Sequence, residues 1–243
     1  MSSESWKTPV NYSLMRHFLL LVSGICLQLS AQEYKQPVDE LTLNYLQVSG
    51  SFSTLYYGNE YEGYPRTTNH PFLKDIQFTK ARLSYQNVVY PEVLIRLDLN
   101  RHELIILSPA SREIVLFPEK VDFADIHGFH VIYFQNDSLP DCPSNGYYLL
   151  LHAGKCKVLE KINATLLEKS TTNRLDRYFE FSSQYYLYMD GQYYTIKSRM
   201  GLWNVLQPHK KALKQFVSSR KLNYRNNTGQ FLVETVREYE RLR

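Results

Sequence analysis

The stretch Tyr185-Tyr186-Leu187-Tyr188-Met189-Asp190-Gly191-Gln192-Tyr193-Tyr194-Thr195-Ile196 constrains this chain more than any other. Asp-Gly between two alternating runs is the strongest short-range signal for a β-hairpin, because both central residues of the favoured turn take positive φ. A two-residue turn sets Met189 opposite Gln192, Tyr188 opposite Tyr193 and Tyr186 opposite Thr195. Strand side chains alternate between faces. One face therefore carries Tyr185, Leu187, Met189, Tyr194 and Ile196, and the other Tyr186, Tyr188, Tyr193 and Thr195. The apolar face is expected toward the core. The tyrosine face is expected to bed a second layer, the C-terminal helices; the other outcome is a platform open to a ligand.

The segment before the hairpin also reads as strands. Val93, Ile95 and Leu97 alternate with Arg96 and Asp98, the pattern of a half-buried strand with the charged pair outward. Gln86-Asn87 is a turn, and Glu103–Leu107, Glu113–Phe117 and Phe129–Phe134 are further short strands. Ser108-Pro109-Ala110-Ser111, Pro118-Glu119-Lys120 and His127-Gly128 separate them. Turn signals this frequent point to an antiparallel meander, roll or sandwich. Tyr147–His152 and Lys155–Ile162 form a second hairpin around Ala153-Gly154, with Cys156 facing Leu151. The chain ends in helices. Gln207-Pro208 opens one with Leu213, Phe216 and Val217 as its stripe, and Asn227-Thr228-Gly229-Gln230 caps another that buries Phe231, Leu232, Val236 and Tyr239. The expected fold class is α+β: mainly antiparallel β, then β-hairpins and a C-terminal helical pair.

The N-terminus reads as an address. Met15-Arg16-His17 is basic, Phe18–Leu27 is apolar, and Ser30-Ala31-Gln32 supplies the small residues of a cleavage site, the order of a secretory signal peptide. Met15 is the expected start and cleavage is expected after Ala31. Ten apolar residues span about 15 Å as helix, half a bilayer, so no transmembrane helix is expected. Ile25 before Cys26 is too large for lipoprotein processing. The division is then 1–31 leader, 32–140 β-rich, and 141–243 hairpins plus basic helices, the boundary falling in the Pro- and Asn-bearing stretch 137–145; the last two parts can share one domain.

Export leaves Cys142 and Cys156, an even pair that suggests one disulfide. The hairpin register points Cys156 at Leu151 and opposes that pairing, so the pair is either bonded or free. Of the three sequons, Asn136, Asn163 and Asn226, none matters outside a glycosylating pathway.

Chemical signatures are sparse. With 10 glycines in 243 residues the chain holds no phosphate loop, no dinucleotide fingerprint and no nucleophile elbow. His102-Glu103 lacks the second His of a zinc-protease motif, and His127 and His130 lack a third ligand. No metal, cofactor or catalytic residue is expected. Glu60 and Glu62, among Tyr57, Tyr61 and Tyr64, suit either a sugar-binding loop or a tyrosine-rich loop clipped to the sheet, and the second is the expectation. Charge is uneven: Lys197–Arg243 carries net +8, and Gln32–Ile196 carries −5. The default reading of the basic helical end is a solvated helix face; the alternatives are contact with an anionic lipid head group or glycan, or docking on the chain's own acidic β portion, and export argues against nucleic acid.

Tyr57-Gly58-Asn59-Glu60-Tyr61, Asn69-His70-Pro71-Phe72-Leu73, Val88-Val89-Tyr90-Pro91-Glu92-Val93, Tyr147-Tyr148-Leu149-Leu150, Tyr185-Tyr186-Leu187 and the Lys-rich helix are together similar to uncharacterised exported proteins of the Bacteroidota type. The resemblance covers most of the chain after the leader. It implies a diderm cell, hence periplasm or outer-membrane surroundings, and brings no active site. The resulting expectation is a non-enzymatic exported envelope protein of structural or adaptor role. The alternatives are a glycan- or peptide-binding module using exposed tyrosines, and an envelope hydrolase with scattered carboxylates.

Overall fold

A computed structural model describes residues 54–135, 143–171 and 174–243. The leader, Cys142 and the sequon at Asn136 lie outside the described residues. The fold is α+β, as the patterning indicates. Among the described residues, eleven strands form one antiparallel sheet: β1 (Asn59–Glu60), β2 (Thr79–Tyr85), β3 (Val88–Asp98), β4 (Glu103–Leu107), β5 (Glu113–Val115), β6 (Val121–Ile126), β7 (Phe129–Phe134), β8 (Gly146–Ala153), β9 (Lys157–Thr171), β10 (Arg174–Met189) and β11 (Gln192–Thr195). Their order is β1-β5-β4-β3-β2-β6-β7-β8-β9-β10-β11. The ladder continues from β7 to β8 across residues 137–145, so the parts before and after that stretch share one sheet. Three helices come after it, α1 (Arg199–Val205), α2 (Lys210–Ser219) and α3 (Thr228–Leu242).

Tight turns set the registers. Gln86-Asn87 and Asp190-Gly191 both take positive φ in pairs, 53° and 62° in the first and 52° and 81° in the second, the conformation that matches strand twist. His127-Gly128 does the same at 51° and 81°. The β10–β11 ladder pairs Met189 with Gln192, Tyr188 with Tyr193, Leu187 with Tyr194 and Tyr186 with Thr195, the register that Asp-Gly dictates.

The sheet curls back on itself. β9 leaves β8 after Glu160 and reaches the end of β3, where the Ala164 amide donates to the Leu99 carbonyl at 3.0 Å and Asn100 Nδ2 donates to the Ala164 carbonyl at 2.6 Å. Inside the curl, Leu83, Ile95, Leu97, Leu104, Ile106, Ala124, Ile126 and Val131 form one core with Ala164 and Phe179. β9 and β10 stay paired throughout, from Lys157–Tyr188 to Thr171–Arg174. The middle of this ribbon leaves little trace in the sequence, because much of its side-chain surface is exposed and polar.

Further along β9–β11, on the same face as Ala164 and Phe179, the ribbon carries the helices. Val158, Leu187, Met189 and Ile196 pack under Leu202, Trp203, Leu213, Val217, Phe231, Leu232, Val236 and Tyr239 in a second core. Burying each such side chain stabilises by roughly 1.5–3 kcal/mol. Asn227 caps α3, its side chain accepting from the Gln230 amide at 2.9 Å. α1 is an element the sequence pattern does not announce; Ser198 Oγ accepts from the Gly201 amide and starts it. Pro208 occupies a 3₁₀ turn, Gln207–His209, and α2 begins after it.

Three expectations are corrected. The helices cover the Leu187–Met189–Ile196 face, not the tyrosine face: an apolar stripe laid on aliphatic side chains leaves fewer phenol hydroxyls in the seam to be satisfied. Asp98 and Arg96 do not face water. Residues 61–78 lie across that side of β3, so Asp98 is fully buried and the Arg96 guanidinium sits 4.1 Å from the Phe72 ring centre and 4.3 Å from that of Phe78. The β8–β9 turn is longer than Ala153-Gly154. Ala153 pairs with Lys157, which leaves Gly154, Lys155 and Cys156 in the turn.

Glu240 closes that turn. Its carboxylate accepts from the Cys156 amide at 2.6 Å and meets His152 Nε2 at 3.0 Å. A Cβ on Gly154 would stand 2.5 Å from both carboxylate oxygens, so a side chain there would push the Glu240 carboxylate away from the turn. Cys156 is a buried free thiol whose pKa burial pushes up, a poor nucleophile.

Gly191→Val should destabilise the chain by roughly 1–3 kcal/mol, because a β-branched residue is strained at positive φ; an unchanged melting temperature would refute the turn. The second expectation concerns Glu240. Burial pushes its carboxyl up, but the Cys156 amide and His152 outweigh this and hold it below its ordinary value. A depressed folded value gives stability that is present above the ordinary carboxyl range and lost as pH falls below about 4. Glu240→Gln should melt about 1–3 kcal/mol less stable at neutral pH, and the gap should narrow in acid. A gap independent of pH would contradict the ionic role.

Candidate functional site

Three groups of side chains merit a functional reading: the Asp98 cluster, the tyrosine row and a basic groove between the helices.

Asp98 ends β3 at 0% exposure. A buried carboxylate needs donors, and here they come from two directions. Oδ2 accepts from Tyr61 Oη at 2.9 Å and Tyr64 Oη at 2.7 Å, and Oδ1 accepts from the amides of Asn100 at 2.7 Å and Arg101 at 3.1 Å. The Arg101 guanidinium lies 4.5 Å from the Tyr64 ring centre and 5.6 Å from that of Tyr61. Burial, with the hydrogen bond to Asp98, pushes both phenols far above their ordinary value. Of the three loop tyrosines, Tyr61 and Tyr64 thus meet at one carboxylate, while Tyr57 stands apart, 80% exposed. The cluster holds residues 61–64 to the sheet. With donors on both oxygens, Asp98 is poorly placed to carry protons for a substrate.

Glu60 and Glu62 are exposed and line a cavity of about 180 Å³ with Asn59, Arg101, Glu103 and Val115. Arg101 Nη1 donates to the Glu62 carbonyl at 2.6 Å and lies 3.9 Å from Glu103 Oε2. Burial pushes the Glu103 carboxyl up, and Arg101 opposes it. His102 is used elsewhere: its Nε2 meets Asn163 Oδ1 at 2.9 Å, tying the β3–β4 turn to β9 and engaging that sequon's side chain. Burial pushes the His102 ring down. His130 Nδ1 lies 2.7 Å from Asp125 Oδ1, and His127 occupies a positive-φ turn. Among the described residues no three His, Cys, Asp or Glu side chains are grouped to hold a metal ion.

The tyrosine row crosses β7, β8, β10 and β11. Ring centres lie 6.0 Å apart for Phe134–Tyr148, 5.7 Å for Tyr148–Tyr186, 5.4 Å for Phe134–Tyr193 and 4.8 Å for Tyr188–Tyr193. The first three are edge-to-face, the arrangement the ring quadrupole favours. Tyr186 is buried, and Tyr188 and Tyr193 are half-buried. Lys161, only 6% exposed, sits at the buried end of the row. It donates to Ser144 Oγ at 2.9 Å and the Asn145 carbonyl at 2.7 Å, with its Nζ 5.3 Å from the Tyr148 ring centre. These rings pack chiefly on one another.

The third group is visible in the sequence only as an excess of charge. A groove of about 920 Å³ runs between α1, α2 and the loop after α2. Lys197, Arg199, Lys214 and Arg225 line it, with Met200, Trp203, Val217, Leu222 and Tyr224 as its apolar part and no carboxylate. The three acidic residues of this basic segment all lie on α3 and are engaged away from the groove: Glu234 with Arg237 at 3.1 Å, Glu238 with Arg241 at 2.6 Å and Glu240 with His152 at 3.0 Å. Asn223 Oδ1 accepts from the Arg225 amide at 2.9 Å and so fixes the loop that presents Arg225. No helix among the described residues is long and apolar enough to cross a membrane.

No family model, no curated protein and no solved structure matches the chain.

The raised phenols tie stability to alkaline pH. Tyr61, Tyr64, Tyr85, Tyr147, Tyr148 and Tyr185 are all pushed up, burial being the largest cause in each. A folded value above the unfolded one, about 10, gives stability that is present below that pH and lost as pH rises through it. Alkaline titration followed by phenolate absorbance should show a class of tyrosines that ionise only when the chain unfolds. All tyrosines titrating together near pH 10, about the free value, in the folded chain would contradict the burial.

Proposed function

We propose that this chain is a non-enzymatic, exported cell-envelope protein that acts as an adaptor, with the curled sheet as scaffold and the helical layer as its contact surface. The leader pattern at Arg16–Ala31 supports export. The basic groove carries the adaptor reading: it gathers four cationic side chains around an apolar floor with no carboxylate among its lining residues. Like charges gathered in a concave site raise the local potential and attract an anionic partner. The polar contacts of the sheet serve a different end, which is to fasten the fold. Asp98 holds Tyr61 and Tyr64, His102 holds Asn163, and Glu240 holds the β8–β9 turn.

The test is envelope association. Protein recovered from washed envelopes should begin at or near Gln32, stay bound at low salt and be released as added salt shortens the screening length to about 3–5 Å. A Lys197→Glu/Lys214→Glu variant with unchanged melting should be released at low salt. Cytoplasmic protein retaining Met1, or equal retention of parent and variant, would overturn the reading.

A further inference from the structure

Resting on the reading of the groove as a contact surface, we infer that its occupant is an acidic peptide segment of a partner protein, one that carries an apolar side chain among its carboxylates. The charge of the lining fixes the sign of the ligand. Lys197, Arg199, Lys214 and Arg225 present ammonium and guanidinium groups, which pair with carboxylates, the guanidinium in bidentate fashion.

The apolar floor decides among anions. Sugars are met by open aromatic faces, yet Trp203 is 3% exposed, its ring covered and 6.0 Å from that of Phe231. Tyr224 is half-buried, its ring 5.4 Å from the same phenylalanine and edge-on to it. The exposed apolar group is Met200, at 61%, with Val217 and Leu222 nearby in the lining. A thioether side chain adapts to varied apolar partners. The surface is also concave, and its volume of about 920 Å³ is at the upper end for ligand pockets. A membrane plane cannot enter a concavity, whereas an extended segment can. Four cations around an aliphatic floor therefore match a chain with carboxylates flanking a Leu-like side chain, held by charge at the rim and by burial at the centre.

Fluorescence anisotropy with a labelled peptide of alternating Glu and Leu tests this on the full chain. Competitors are a Glu–Ser peptide, polygalacturonate and phosphatidylglycerol vesicles. The Glu–Leu peptide should bind at least about tenfold tighter than the Glu–Ser peptide, the equivalent of burying about two methylene groups. Its affinity should fall as salt rises. Lys214→Glu/Arg225→Glu should weaken it by about tenfold or more, since like charges then face the ligand. Met200→Ser, at an exposed position that leaves the fold intact, should reduce the preference for Leu over Ser while keeping the salt dependence. Equal binding of the two peptides overturns the inference. Polygalacturonate or vesicles binding through the same cations, with the peptide inert, also overturns it but leaves the adaptor reading standing. If none of the four probes responds to the charge reversal, the groove reading itself falls.

Discussion

A carboxylate in a dry interior is tolerated only where donors surround it, and meeting that condition at Asp98 organises one whole side of the sheet. Its four donors come from β3's own turn and from a segment more than thirty residues earlier, Tyr61 and Tyr64. Removing any one leaves a charge under-solvated, so the interactions stand together. The segment so held covers the outer side of β3, encloses the Arg96 guanidinium between rings, and continues to β10. There the Asn69 side chain accepts from the Phe179 amide at 2.7 Å and donates to its carbonyl at 2.8 Å. The β3 turn, the overlying segment and the long ribbon are thus tied around one charge.

The ribbon β9–β10 links the two cores. Ala164 and Phe179 belong to the interior of the curl, and Val158, Leu187 and Met189, further along the same strands, belong to the helical layer. A continuous ladder is stiff along its length, so the groove between the helices is mounted on the element that closes the sheet. The Glu240 contact with the β8–β9 turn adds a second tie between helix and sheet at the end of α3.

Legibility in the sequence tracks how local the determining forces are. Asp190-Gly191 is decided by φ at two positions, and both the turn and its register can be read from the residues alone. The cap of α3 and the stripes of α2 and α3 are equally local: Asn227 caps α3, and Leu213, Val217, Phe231, Leu232, Val236 and Tyr239 bury as their spacing indicates. The destination of a face is not local. Leu187 and Met189 can be placed inside, but not under which layer, because that depends on which of two surfaces the helices reach. Alternation likewise assigns Asp98 to water, since nothing in a strand's own residues reports that residues 61–78 will cross it. The groove is the least legible feature. Its cations are spread from Lys197 to Arg225 and become a site only when α1, α2 and the loop after α2 converge, so the sequence shows their total charge and not their address.

Asn69 also guards a strand edge. An edge with free amides and carbonyls is an open template on which another chain can add a strand, and sheet-rich proteins aggregate by that route. At Phe179 the β10 edge is already occupied by a side-chain amide that presents one donor and one acceptor, as a neighbouring strand would, and the Thr68 amide fills the Arg177 carbonyl at 2.8 Å beside it. An incoming strand would have to displace this borrowed rung and the segment that carries it. Intermolecular growth of the sheet is blocked at that stretch of β10, which favours partners that dock through side chains over those that extend the backbone ladder.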